Sequence, residues 1–161
     1  MIQNSLPTIE SLLNKAHSTL VEFLTAIHAE RQCLKGDVST TLQDVTARKA
    51  DLATRLAELD TQRDIALRAK GLAAGRKGIE AWLETLPRET RGESRAAWLS
   101  ILERAAEAKR ENELNGKLIS VRLQQNHQAL GVLLGETGEA STYGADGQRN
   151  TRAGRRTLGS A

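Results

Sequence analysis

Apolar side chains recur along this chain in alternating steps of three and four residues. From residue 5 to residue 34, Leu6, Leu13, Leu20, Ile27 and Leu34 return every seven positions, and Ile9, Ala16 and Phe23 fill the places between. That is the seam of a helix packed against another helix. Ser5 or Thr8 can cap its start, Pro7 suits a first turn, and Gly36 with Asp37 ends it in a short turn. A second helix is predicted from about Ser39 to Ala69, with Thr40 and Gln43 as a capping box. Its seam is Val38, Leu42, Val45, Lys49, Leu52, Leu56, Leu59, Arg63 and Ala66. The short turn makes the two helices antiparallel neighbours. Lys49 and Arg63 occupy places expected to be apolar, and their stems are predicted to lie along the seam with the charges in water.

The pattern breaks over residues 71–92, where Gly71, Gly75, Gly78, Gly92 and Pro87 punctuate the chain. Between them Ile79, Trp82, Leu83 and Leu86 form one face of a short helix, and Trp82 is expected to close one end of the hairpin. A long last helix is predicted from about Ser94 to Leu134. Trp98, Ile101, Leu102, Ala105 and Ala108 continue the seam. Asn112, Asn115, Arg122 and Asn126 then interrupt it, and the leucines move to a neighbouring stripe. The second half of this helix therefore either packs differently from the first or is less fully covered within the monomer. Beyond Leu134 the chain holds six of its 13 glycines and, Leu158 apart, no large aliphatic residue, so residues 135–161 read as a disordered tail. The expected fold is all-α: a long antiparallel hairpin, a short helix and a long C-terminal helix in a domain of residues 1–134, followed by that tail.

Composition narrows the function. Aromatic residues make up 2% of the 161 residues, which suits Leu- and Ala-packed helices rather than a sandwich or barrel. The net charge of +3 is spread over the chain, so charge alone does not favour nucleic acid. Residues 148–161 carry four Arg and no acid, few charges for a nucleic-acid tail, and no aromatic interleaves them. Cys33 is the only cysteine, which fits a reducing compartment. No apolar run reaches the ~18 residues of a membrane span, and the start lacks the pattern of a secretory signal. A cytoplasmic location without membrane insertion is expected.

No catalytic or metal-binding set converges. His17 and His28 stand eleven residues apart on one helix and His127 lies on another. Residues 71–77 contain Gly71, Gly75 and Lys77 but lack the full phosphate-binding loop pattern. No enzymatic activity and no cofactor are expected. Two features point to binding instead. Asn112 and Asn115 either fix the register of packed helices or satisfy the backbone of a docked segment. Gly116 follows at once, and a mid-helix Gly permits close backbone approach. The solitary Tyr143, in the turn formed with Gly144, Ala145, Asp146 and Gly147, is either a turn residue or an aromatic anchor.

Residues 112–148 resemble the FlgN family of flagellar export chaperones. The likeness is carried by Asn112, Asn115, Gly116, Leu118, Ile119, Asn126, Gln128, Ala129, Leu130, Val132, Leu133 and above all the run from Tyr143 to Gln148. The basic stretch Arg152, Ala153, Gly154, Arg155 and Arg156 is similar to the family's tail, and Leu20, Glu30, Leu34, Lys49, Leu52 and Arg63 suit its hairpin. The resemblance implies a helical cytoplasmic chaperone that holds the hook–filament junction proteins FlgK and FlgL by a C-terminal helical segment before type III export. For such a client the leucine spacing offers a groove at Leu118, Leu123, Leu130, Leu133 and Leu134, and Asn115, Gly116 and Ile119 are expected to join it. The resemblance also implies docking to the export gate protein FlhA through Tyr143, Gly144, Asp146 and Gly147, with FliJ as a further partner. A structural coiled-coil adaptor is the reading of another class, and it would self-associate stably.

Overall fold

The computed structural model describes residues 7–36 and 41–133 and, of Leu133, the backbone alone. These residues form α1 (Ile9–Lys35), α2 (Leu42–Ala69), α3 (Gly75–Thr85) and α4 (Arg88–Leu133), with no strand among them. The fold is the all-α hairpin, short helix and long helix that the periodicity predicts. The chain divides into two compact units, Met1–Val121 and Arg122–Ala161. The boundary expected between residues 134 and 135, the tail beyond it, and Leu6 and Val38 lie outside the described residues.

Local chemistry sets the helix ends. Thr8 caps α1, its hydroxyl accepting from Ser11 N–H at 3.2 Å. Gly36 closes α1 in the left-handed region at φ 87°, its N–H donating to Cys33 O, a conformation that Cβ-bearing residues rarely adopt. α2 is capped one residue later than predicted. Thr41, not Thr40, accepts from the N–H of Asp44, whose carboxylate in turn accepts from the Thr41 hydroxyl. α4 starts at Arg88 rather than Ser94, with Gly92 inside it. The reason lies in Arg91, which donates to the carbonyls of Glu84 and Leu86 and ties the first turn of α4 to the end of α3. That anchor outweighs the ~1 kcal/mol that an interior Gly costs a helix.

In the first unit, the register follows from side-chain pairs. Lys49 meets Glu30 and Arg48 meets Glu22, while Ile9 and Ala66 line one recess, so α2 runs antiparallel to α1. α4 runs parallel to α1, because Arg104 meets His17, Glu111 meets Arg31, and Asn115 meets Glu30. The heptad residues Leu13, Leu20, Ile27 and Leu34 are all buried. The main core gathers Ile9, Leu12, Leu13 and Leu20 with Ala66, Leu67, Ile79, Trp82, Leu83, Trp98 and Ile101. Trp82 is buried among them, as expected of a residue closing that end. A smaller cluster joins Leu24, Ile27 and Ala108, with Phe23 packed against it.

α3 is held to α2 by a device the periodicity does not show. Its cap position, Ala74, offers no side-chain acceptor. Asp64 of α2 supplies one, its carboxylate accepting from Gly75 N–H at 3.0 Å. A carboxylate at a helix N-terminus also meets the positive end of the helix dipole. Gly78 then lets the connector cross close by, because a Cβ there would collide with the Ala73 carbonyl.

Candidate functional site

Lys49 and Arg63 do not send their charges into water. The Lys49 ammonium lies 2.7 Å from both oxygens of Glu30, which is 1% exposed, and donates to Asn112 Oδ1 at 3.1 Å. Arg63 pairs with Asp60 at 2.5 Å and Asp64 at 2.9 Å. The expectation of solvated charges fails because acidic partners stand within reach on α1 and on α2 itself. A thin seam leaves them room that a wide apolar face would fill.

Asn115 completes the network. Its side chain is fully buried. Its Nδ2 donates to Ile27 O and to Glu30 Oε2, both at 2.8 Å, and its Oδ1 accepts from Arg31 Nε at 2.9 Å. Arg31 also donates to Glu111 O and lies 2.6 Å from the Glu111 carboxylate. Both N–H donors of the amide are thus used within the chain, and the side chain is closed to solvent. Of the two readings of this asparagine, fixing helix register is the one these partners serve, and the side chain lies inside the first unit rather than on its surface. The signal available beforehand was the seam position itself.

The other residues singled out from the sequence point outward or lie outside the described residues. In the first unit, a Cβ on Gly116 would meet nothing within 4 Å, Leu118 is exposed and Ile119 is half-buried. Leu114 and Val121 are also exposed, and with Leu118 they follow the i, i+4, i+7 spacing of one helix face. A shallow recess there is lined by Leu114, Leu118 and Val121 with Arg31 and Lys117. Val121 was not among the expected site residues. In the second unit, Leu123, Leu130 and Val132 are exposed. Leu134, Tyr143, Gly144, Asp146 and Gly147 lie outside the described residues, as does the side chain of Leu133.

These six aliphatic side chains, Leu114, Leu118, Val121, Leu123, Leu130 and Val132, are between 39% and 65% exposed. Single exposed leucines are ordinary; Leu114, Leu118 and Val121 of the first unit differ in sharing one helix face. Among the described residues no group of three or more His, Cys, Asp or Glu could hold a metal ion, and no helix is long and apolar enough to cross a membrane.

The chain is similar to the Flagella synthesis protein FlgN of Salmonella typhimurium, with 28% identity over 142 residues, covering 87% of this chain and 89% of the relative. It matches the Flagella synthesis protein FlgN of Salmonella typhi to the same extent. No solved structure matches it. The family model described as FlgN protein matches residues 1–151, which include all four helices, and the chain therefore belongs to the FlgN family.

Proposed function

We propose that this chain is a flagellar type III export chaperone that holds the C-terminal helical segment of the hook–filament junction proteins FlgK and FlgL. Membership of a family whose relatives are flagella synthesis proteins supports the setting. The observation that supports the mechanism is the exposed aliphatic row Leu114, Leu118 and Val121 on one face of α4 in the first unit. An amphipathic helix lays its apolar face on such side chains at i, i+4 and i+7 spacing. A client that folds as it binds spends part of the contact energy on ordering, which keeps affinity moderate and release possible. No nucleotide chemistry is required of the chaperone. Ile119 is a further proposed client contact in the first unit, where Gly116 offers a close backbone approach, and Leu123, Leu130, Leu133 and Leu134 are proposed client contacts in the second.

Tyr143, Gly144, Asp146 and Gly147 are the proposed contact with the gate protein FlhA, and FliJ is the proposed partner of the empty chaperone in the cytoplasm. The test is binding of full-length chain to the C-terminal helical peptide of FlgK or FlgL. Replacing Leu123 and Leu130 by Ala is expected to weaken binding about tenfold or more at unchanged helix content. Unchanged affinity would remove Leu123 and Leu130 from the client contacts. Tyr143→Ala is expected to spare client binding and reduce binding to FlhA. The adaptor reading is disfavoured by the seam of α1, because Leu13, Leu20, Ile27 and Leu34 are already buried within this chain.

A further inference from the structure

The first unit is held together unequally at its two ends. Toward the N-terminus of α1, eleven buried apolar residues form one cluster that includes both tryptophans. Toward its C-terminus, among the described residues, a smaller cluster joins Leu24, Ile27 and Ala108, and Ala26, Leu34, Val45 and Leu52 are buried there too, with no aromatic side chain among these seven. Set among these apolar side chains is a polar network that joins α1, α2 and α4: Glu30 with Lys49, Asn115 with Ile27 O, Glu30 and Arg31, and Arg31 with Glu111. Glu30 and Asn115 are as deeply buried as the core leucines.

This asymmetry has two physical consequences. A buried ion pair returns little net stability, because removing both charges from water offsets most of their attraction. Resistance to local opening comes mainly from buried apolar area, so an end rich in polar contacts opens at lower cost than one rich in apolar contacts. At the same time a polar network tolerates no slippage. Moving α4 by one residue along α1 would turn the Asn115 amide away from three partners at once and strand Glu30, whereas leucine seams accept small shifts.

We propose that Glu30, Lys49 and Asn115, backed by Arg31 and Glu111, form a polar latch. It sets the register of α4 on α1 and lets this end of the bundle, residues 24–34 and 108–121, open as a local unit while the core around Ile9, Trp82 and Trp98 stays closed. The latch does not depend on which client, if any, the chain carries. It is a closed state with a defined geometry and a low free-energy cost of opening.

Hydrogen–deuterium exchange on the full-length chain tests this. In the unsubstituted protein, amides of residues 24–34 and 108–121 are expected to exchange about tenfold faster or more than those of residues 12–20 and 98–102. The triple variant Glu30→Leu, Lys49→Met, Asn115→Leu is expected to slow exchange at the latch end about tenfold and leave the other end unchanged. Equal protection at both ends, or no slowing in the triple variant, overturns the latch. If the triple variant does not fold, Asn115→Ala decides. Faster exchange confined to the latch end supports the proposal, and equal acceleration at both ends overturns it.

Discussion

Lys49 shows how a single seam residue can be misread. Its place in the heptad pattern is plain from the sequence, but its partner is not, because Glu30 lies nineteen residues away on another helix. Once that pair is seen, the cost of breaking it can be stated. Lys49→Met leaves the Glu30 carboxylate buried and facing no cation, which is expected to lower unfolding free energy by roughly 3–5 kcal/mol in urea titration. Adding Glu30→Leu to the same chain is expected to recover most of the loss, since the stranded charge goes with it. Asp64 makes a different case. Burial would raise its carboxyl, but the Gly75 N–H, the Arg63 side chain and the charge of Arg68 together hold it below the ordinary 3.8. A carboxyl lowered in the folded state stabilises the fold at pH above the unfolded value and ceases to do so as pH falls through the folded one. Stability is therefore expected to drop below about pH 4, and the urea midpoint of Asp64→Asn is expected to lose part of that pH dependence.

At the scale of the elements, the periodic apolar pattern made the existence and order of all four helices readable, and their ends less so. Ends depend on capping partners one residue apart, such as Thr40 or Thr41, and on contacts that join separate elements, such as Arg91 reaching back to the carbonyl of Leu86. Glycines illustrate the same limit. Gly78 reads in the sequence as a break and Gly116 as a mid-helix glycine, yet both lie inside helices. Their surroundings are opposite: the Ala73 carbonyl crowds the first, and the second faces open space. Gly78→Ala must move a backbone segment and is expected to destabilise the chain by about 1–3 kcal/mol. Gly116→Ala is expected to stabilise α4 by up to about 1 kcal/mol. Thermal unfolding of the two variants separates these outcomes by sign. The buried role of Asn115 was legible only as one of two readings, because a seam amide looks the same whether its partners are internal or external.

For the molecule as a whole, the question is which apolar side chains hold the fold and which are left for a partner. The core leucines and the outward leucines share one residue type and one periodicity, so sequence alone does not divide them. Burial does: Leu20 and Leu67 are enclosed, and Leu114 and Leu118 stand open. The division predicts opposite responses to the same change. Leu67 is fully buried, and Leu67→Ala is expected to cost roughly 2–5 kcal/mol, because the lost methyl groups leave a cavity. Leu114→Ser together with Leu118→Ser is expected to change stability by no more than about 0.5 kcal/mol per site, the range of ordinary surface substitutions. If those side chains are the client surface, the same double variant loses the FlgK or FlgL peptide while keeping its unfolding midpoint. A large fall in the midpoint instead assigns the stripe to the fold. Retained binding at an unchanged midpoint moves the client elsewhere on the molecule.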